Sequence, residues 1–172
     1  MNRSEANETL AAVLRDTFWL SVAAIVFLVI LLGSVAADIT GKVGAILVMQ
    51  ESSRNLLQAF LIALLVNTPT LIIAGVVGDF AGFFSRTGEG EVFSPRNLRS
   101  LRSAGSGLVW AAAASAVIVP SVLSWTTGDG RGLIWHVNDL ALGTAAMGAV
   151  IFGLSHVFAE GIRLKSDSDQ II

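Results

Sequence analysis

Four stretches of the chain carry no charged residue: Thr17–Ala37, Asn55–Gly78, Ser103–Gly128 and Leu140–Ala159. Crossing a hydrocarbon core of about 30 Å takes about 20 predominantly apolar residues in a helix. Each stretch is long enough. The pattern predicts an all-α polytopic integral membrane protein, with residues 1–172 forming one membrane domain. Its four-helix bundle would place spans at about 18–37, 56–78, 105–124 and 140–158.

The segments between the runs add detail. Ser4 or Asn7 is a candidate cap for a short amphipathic lead-in before Trp19, which falls where an indole prefers the headgroup level. Residues 38–54 read as the first loop, with Val43–Met49 a surface-lying turn of helix too short to cross. Ser34-Val35-Ala36 resembles a signal-peptidase site, but Glu5, Glu8 and Asp16 occupy the region that a cleaved signal makes basic. An uncleaved span is the expectation, with Gly33 and Ala37 as close-packing residues.

The second run contains Asn67-Thr68-Pro69-Thr70 near its centre. Proline removes a backbone donor and clashes with the carbonyl four residues back, so a kink is expected, with the neighbouring polar side chains bonding to backbone or to another helix. Gly78 and Gly82 form a small-xxx-small pair.

Between the second and third runs, Ser94 is a good N-cap and Pro95 suits the first helical position. Arg96, Arg99 and Arg102 then recur every third residue, within about 120° of one helix face. This predicts a basic amphipathic helix over 94–104 that runs on into the third span. Pro120 stands near the far end of that span, and Trp125 and Trp135 flank the following turn as an aromatic belt. The fourth run has Ala141, Ala145, Ala149 and Gly153 at four-residue spacing, read as a small face against another span, and His156 in its last turn.

Composition narrows the chemistry. Charged residues are 14% of the chain, against about 25% in soluble domains. Without cysteine, disulfide and thiolate chemistry are excluded. His136 and His156 have no ligand-spaced companions, although a site pairing a histidine with Asp139 stays open. Gly128–Gly132 has the make-up of a tight turn and lacks the carboxylate spacing of a calcium loop. No nucleophile elbow or phosphate loop is present. The expectation is a protein that is not an enzyme and carries no metal or other cofactor.

Lysine and arginine are unevenly divided. Arg3, Arg15, Arg86, Arg96, Arg99, Arg102, Arg163 and Lys165 fall on one side of the predicted spans, and only Lys42, Arg54 and Arg131 on the other. Positive-inside bias puts both termini and the middle loop in the cytoplasm.

Two segments also carry a resemblance. Phe93-Ser94-x-x-Asn97-x-x-x-Leu101-Arg102-x-x-Gly105, together with Phe158, Gly161, Leu164, Asp167 and Asp169, resembles the signature of a bacterial four-span membrane family catalogued as domain of unknown function 2975. The chain departs from the family's usual tail at Glu160, Lys165 and Gln170-Ile171. The resemblance implies the inner (plasma) membrane and a multi-pass layout, and no activity. Some members are encoded beside a small helix-turn-helix regulator, which suggests a regulatory partner.

Two functions fit these observations. The first is a regulatory or interaction protein working through its basic loop and acidic tail. Asn97, Arg99, Arg102, Glu160, Asp167 and Asp169 are the candidate residues, and Arg99 or Arg102 would latch onto Glu160, Asp167 or Asp169. The same arginines could instead serve only topology and lipid contact. The second is a small oligomeric transporter or channel, using Asn67, Thr68, Thr70 and His156 around the Asn67–Pro69 kink. Against it, no charged residue is expected deep in a span. The partners expected are the lipid bilayer and either that regulator or a second copy, without direct nucleic-acid binding.

Overall fold

The computed structural model describes residues 3–48, 53–89, 92–126 and 132–169. All regular structure among them is helical: α1 (Arg3–Val48), α2 (Ser53–Gly88), α3 (Pro95–Ala113), a π-helical turn (Ala114–Ile118), α4 (Val119–Thr126) and α5 (Asp139–Asp169). Four continuous stretches are long and apolar enough to cross a membrane: Arg15–Ala45, Leu56–Gly88, Pro95–Thr126 and Asp139–Leu164.

Each span packs on its sequence neighbour, α1 on α2, α2 on α3 and α3 on α5, and α2 also meets α5. Close contacts fix an antiparallel register. Thr17 lies against Gly88 and Asp38 against Asn67, Arg86 against Asn97, Gly107 against Val76, and Gly105 against Phe152. Both ends of the described chain therefore lie at the same end of the helix axes. We call it the terminal end, and the other the turn end.

The first connection differs from the expected loop. Helix α1 continues through Asp38 and the Val43–Val48 stretch as one element of 46 residues. Asp38 is a poor reason for a helix to stop, because Lys42 one turn on and Asn67 on α2 both donate to its carboxylate. Met49, Glu51 and Ser52 lie outside the described residues. Helix α1 is already formed at Arg3, so Ser4 and Asn7 lie inside it rather than at its cap.

Pro69 lies inside α2 without ending it. Asn67 and Thr68 bond back to the carbonyls of Ala63 and Leu64, at 2.8 and 3.1 Å. Pro120 has a larger effect. A proline displaces the carbonyl four residues back, which here is Ala116, in the middle of the π-helical turn. That carbonyl accepts the amide N–H of His136 at 2.7 Å. Ser121 Oγ accepts from the Ile134 amide at 2.9 Å. Residues 132–138 are thereby bound along the third span, and Asn138 caps α5 through the Ala141 amide. The Gly128–Arg131 part of the expected turn lies outside the described residues.

The tightest packing joins α3 and α5. A Cβ on Gly105 would stand 2.6 Å from the Phe152 amide nitrogen, and one on Gly148 would stand 2.8 Å from the Gly105 carbonyl oxygen. The face of α5 turned to α3 carries Ala141, Gly148 and Ser155, all buried. Of the expected four-residue stripe only Ala141 is buried, while Ala149 and Gly153 are exposed. A seven-residue recurrence, not four, follows this crossing, as in left-handed helix pairs. Val76, Ala104 and Leu108, with Ile73, Phe80 and Ile151 around them, form the core that joins α2, α3 and α5.

Candidate functional site

Polar side chains collect at two places. The first is at the terminal end, where the chain turns from α2 into α3. Ser94 caps α3 by accepting the Asn97 amide at 3.2 Å, with Pro95 at the start of the helix. The Asn97 side chain is fully buried, at 0% exposure. Its Oδ1 accepts from Arg86 Nε at 2.8 Å, and its Nδ2 donates to the Val92 carbonyl at 3.2 Å and to Thr87 Oγ1 at 3.5 Å. Arg86 also donates to Ser100 Oγ at 2.7 Å. One asparagine thus ties the last turn of α2, the connecting segment and the first turn of α3 together. A buried amide is stable only when so satisfied.

Aromatic packing closes the other side. The Phe93 ring sits on Gly161, where a Cβ would come within 2.7 Å of it, and meets Phe158 at a centroid distance of 5.5 Å. Phe158 also meets Phe83 of α2, at 5.9 Å. The motif positions therefore have mechanical roles: Phe93 clamps α5, Ser94 caps, Asn97 knots, Leu101 is buried and Gly105 admits α5. Sequence reasoning missed Arg86. Its place eleven residues before Asn97, across a glycine-bearing turn, is a weak signal.

Arg96, Arg99 and Arg102 point outward and are exposed. Among the described residues, Arg99 and Arg102 meet no acidic residue of the tail. Glu160 pairs with Arg163 on its own helix at 3.8 Å, and no ion pair joins Arg99 or Arg102 to Glu160 or Asp167 among the described residues. The register explains this. Asp167 lies six residues beyond the Gly161–Phe93 contact, and Arg102 lies nine residues from it in the opposite direction. At 1.5 Å per residue they are about 20 Å apart along the helix axes. The Asp169 side chain lies outside the described residues.

The second cluster lies inside the α1–α2 pair. Asp38 Oδ2 accepts from Lys42 Nζ and from Asn67 Nδ2, both at 2.7 Å. Asn67 stands eleven residues from the Leu56 end of its apolar stretch, about 16 Å along the helix. Asp38 and Lys42 thus stand seven and three residues from the Ala45 end of the Arg15–Ala45 stretch, as Arg102 stands seven residues from the Pro95 end of its own. A carboxylate at the end of an apolar run reads as the start of a loop, which is why Asp38 is expected there. Its partners are the Lys42 ammonium one turn ahead and the Asn67 amide 29 residues away, and the second is too distant in sequence to signal itself.

The intramembrane candidates separate. Asn67 turns to α1, and Thr68 bonds to its own helix. Thr70 lines, with Pro69, Ser115 and Thr144, a cavity of about 170 Å³ between α2, α3 and α5. His156 is exposed, donates to the Phe152 carbonyl at 3.2 Å in the tautomer that protonates Nδ1, and packs on the Phe152 ring. Ser115, beside Pro69 and Thr70 in that cavity, is ten residues from Gly105, which faces Phe152. His156 is four residues beyond Phe152 the other way, so Pro69 and His156 lie about 20 Å apart along the helix axes. One chain does not join them. Among the described residues no three His, Asp or Glu side chains converge as metal ligands would.

Four long apolar helices in antiparallel sequence define a multi-pass membrane protein. The profile of one family, described as "Protein of unknown function (DUF2975)", matches residues 22–172. The chain belongs to that family. No curated protein and no solved structure matches it.

Proposed function

We propose that this is an inner-membrane regulatory or interaction protein whose working surface is the terminal end, facing the cytoplasm. The observation that carries the reading is the exposure of Arg96, Arg99 and Arg102 on a helix start that Asn97 holds rigid from behind. Helix α5 supports it. The helix continues past the end of its span at Leu164 to Asp169, so Asp167 is displayed on an ordered rod. Basic face and acidic extension form two separate patches on one rigid platform. That arrangement suits a partner with its own charge pattern better than an internal latch. A small helix-turn-helix regulator is the partner class that the family resemblance suggests. The arrangement is non-enzymatic, uses no cofactor, and contacts nucleic acid only through such a partner.

Photo-crosslinking in living cells tests this. A crosslinking residue in place of Ser103, beside Arg102, is expected to give a discrete protein adduct that a probe at Trp125 does not give. The double substitution Arg99→Glu with Arg102→Glu is expected to abolish it. Lipid adducts alone would overturn the proposal and leave the arginines to orientation and headgroup contact, where each contributes about 1 kcal/mol.

A further inference from the structure

The Asn97 knot satisfies the asparagine but not the arginine that enters it. Arg86 is partly buried, and its Nε donates to Asn97 Oδ1 and its Nη2 to Ser100 Oγ, both uncharged acceptors. Among the described residues no carboxylate lies within ion-pair distance of it. A guanidinium carries five N–H donors, so both hydrogens on Nη1 are left over, at the outer end of the fork. Drawing a cation partly out of water with neutral partners alone leaves its charge uncompensated.

The fork is also held in place. Asn97 and Ser100 fix one edge, and Nη1 lies over Gly82, one turn back on α2, where a Cβ would stand 3.2 Å from it. The glycine therefore leaves open the end of the guanidinium that a side chain would crowd. On α3, Arg96 stands one turn before Ser100, on the flank that Ser100 turns to Arg86, and is exposed. Asp79, two turns further back on the Arg86 flank of α2, makes no ion pair with either arginine. Two guanidinium groups on adjoining flanks repel each other unless an anion lies between them.

We propose that Arg86 and Arg96 together bind a phosphate group in the cleft between the end of α2 and the start of α3. The planar fork of a guanidinium matches two phosphate oxygens. A tetrahedral phosphate presents its oxygens in more than one direction, so the two arginines can approach it from different sides. Arg86 stands two residues from the Gly88 end of its apolar stretch, and Arg96 one residue from the Pro95 end of the next. The headgroup of an anionic phospholipid and a phosphate from solution can both reach such a position, and basic pockets between membrane helices take headgroups of this kind. The site adjoins the partner surface proposed above and does not rest on it, since Arg102 lies about 160° round α3 from Ser100.

Lipid retention tests this. The full chain, purified in a neutral detergent, is incubated with phosphatidylglycerol and phosphatidylcholine of the same acyl chains, and the lipids it keeps are counted by native mass spectrometry. Wild type is expected to keep one phosphatidylglycerol in preference to phosphatidylcholine. Arg86→Gln and Arg96→Gln are each expected to weaken that retention about tenfold, the scale of one charge-assisted contact. Arg96 is exposed and outside the knot, so its variant reports on the site even where Arg86→Gln fails to fold. Arg163→Gln removes the same charge from an exposed pair on α5 and is expected to change nothing. Inorganic phosphate in place of lipid separates the sources. A rise in the unfolding midpoint that Arg96→Gln abolishes assigns the site to free phosphate, and no rise, with phosphatidylglycerol kept, assigns it to the headgroup. The proposal is overturned if the two lipids are kept equally and phosphate has no effect, if Arg96→Gln behaves as wild type, or if Arg163→Gln loses as much as Arg96→Gln.

Discussion

Replacing Asn97 by leucine would fill the same space while leaving the Arg86 guanidinium and the Val92 carbonyl without their partner. Loss of a satisfied buried hydrogen-bonding group costs about 1–3 kcal/mol. Asn97→Leu is therefore expected to lower the thermal unfolding midpoint in detergent. Asn97→Asp, which keeps an acceptor for Arg86 Nε, is expected to lose less. Equal melting of Asn97→Leu and wild type would mean that the knot has no weight in the fold. Gly105 and Gly143 provide a second comparison. A side chain at Gly105 meets the Phe152 backbone, whereas one at Gly143 meets nothing within 4 Å. Gly105→Leu is expected to destabilise by about 1–3 kcal/mol through overpacking, and Gly143→Ala to leave the midpoint unchanged. Chemical or thermal unfolding of the two variants side by side checks both outcomes.

Among the elements, the third span shows how one residue sets a helix's connection to its neighbour. Pro120 cannot donate to the Ala116 carbonyl, the helix widens into a π turn there, and the vacated acceptor holds the His136 amide. Pro120→Ala returns the helix's own donor to that carbonyl. The His136 amide is then expected to exchange with deuterium faster by about an order of magnitude, in proportion to the easier local opening. Unchanged exchange would detach the proline from the docking of residues 132–138. This coupling was not legible beforehand, because it joins residues 20 apart through a backbone group that sequence does not display. The four spans were legible, since runs of 20 uncharged residues have few alternative homes. So were the Ser94 cap and the outward arginines, which local spacing determines. The continuation of α1 past Asp38 was not. It depends on Asn67 of another helix, and a carboxylate considered alone reads as the end of a span.

The whole molecule is a set of four antiparallel spans with two unlike ends. One end is knotted by Asn97 and Arg86, clamped by Phe93 on Gly161, and carries the outward arginines. The other carries Trp125 and Trp135, both exposed, at the level suited to a membrane interface. The assigned function requires the first end to face the cytoplasm. Single cysteines report this most directly, and the structure chooses the positions: Ser103 and Thr126 are exposed, whereas Ser124 is buried and Ser94 is committed to its cap. Intact cells treated with a membrane-impermeant maleimide are expected to label Thr126→Cys at once, and Ser103→Cys only after lysis. Labelling of Ser103→Cys in intact cells, with Thr126→Cys protected, would contradict the account.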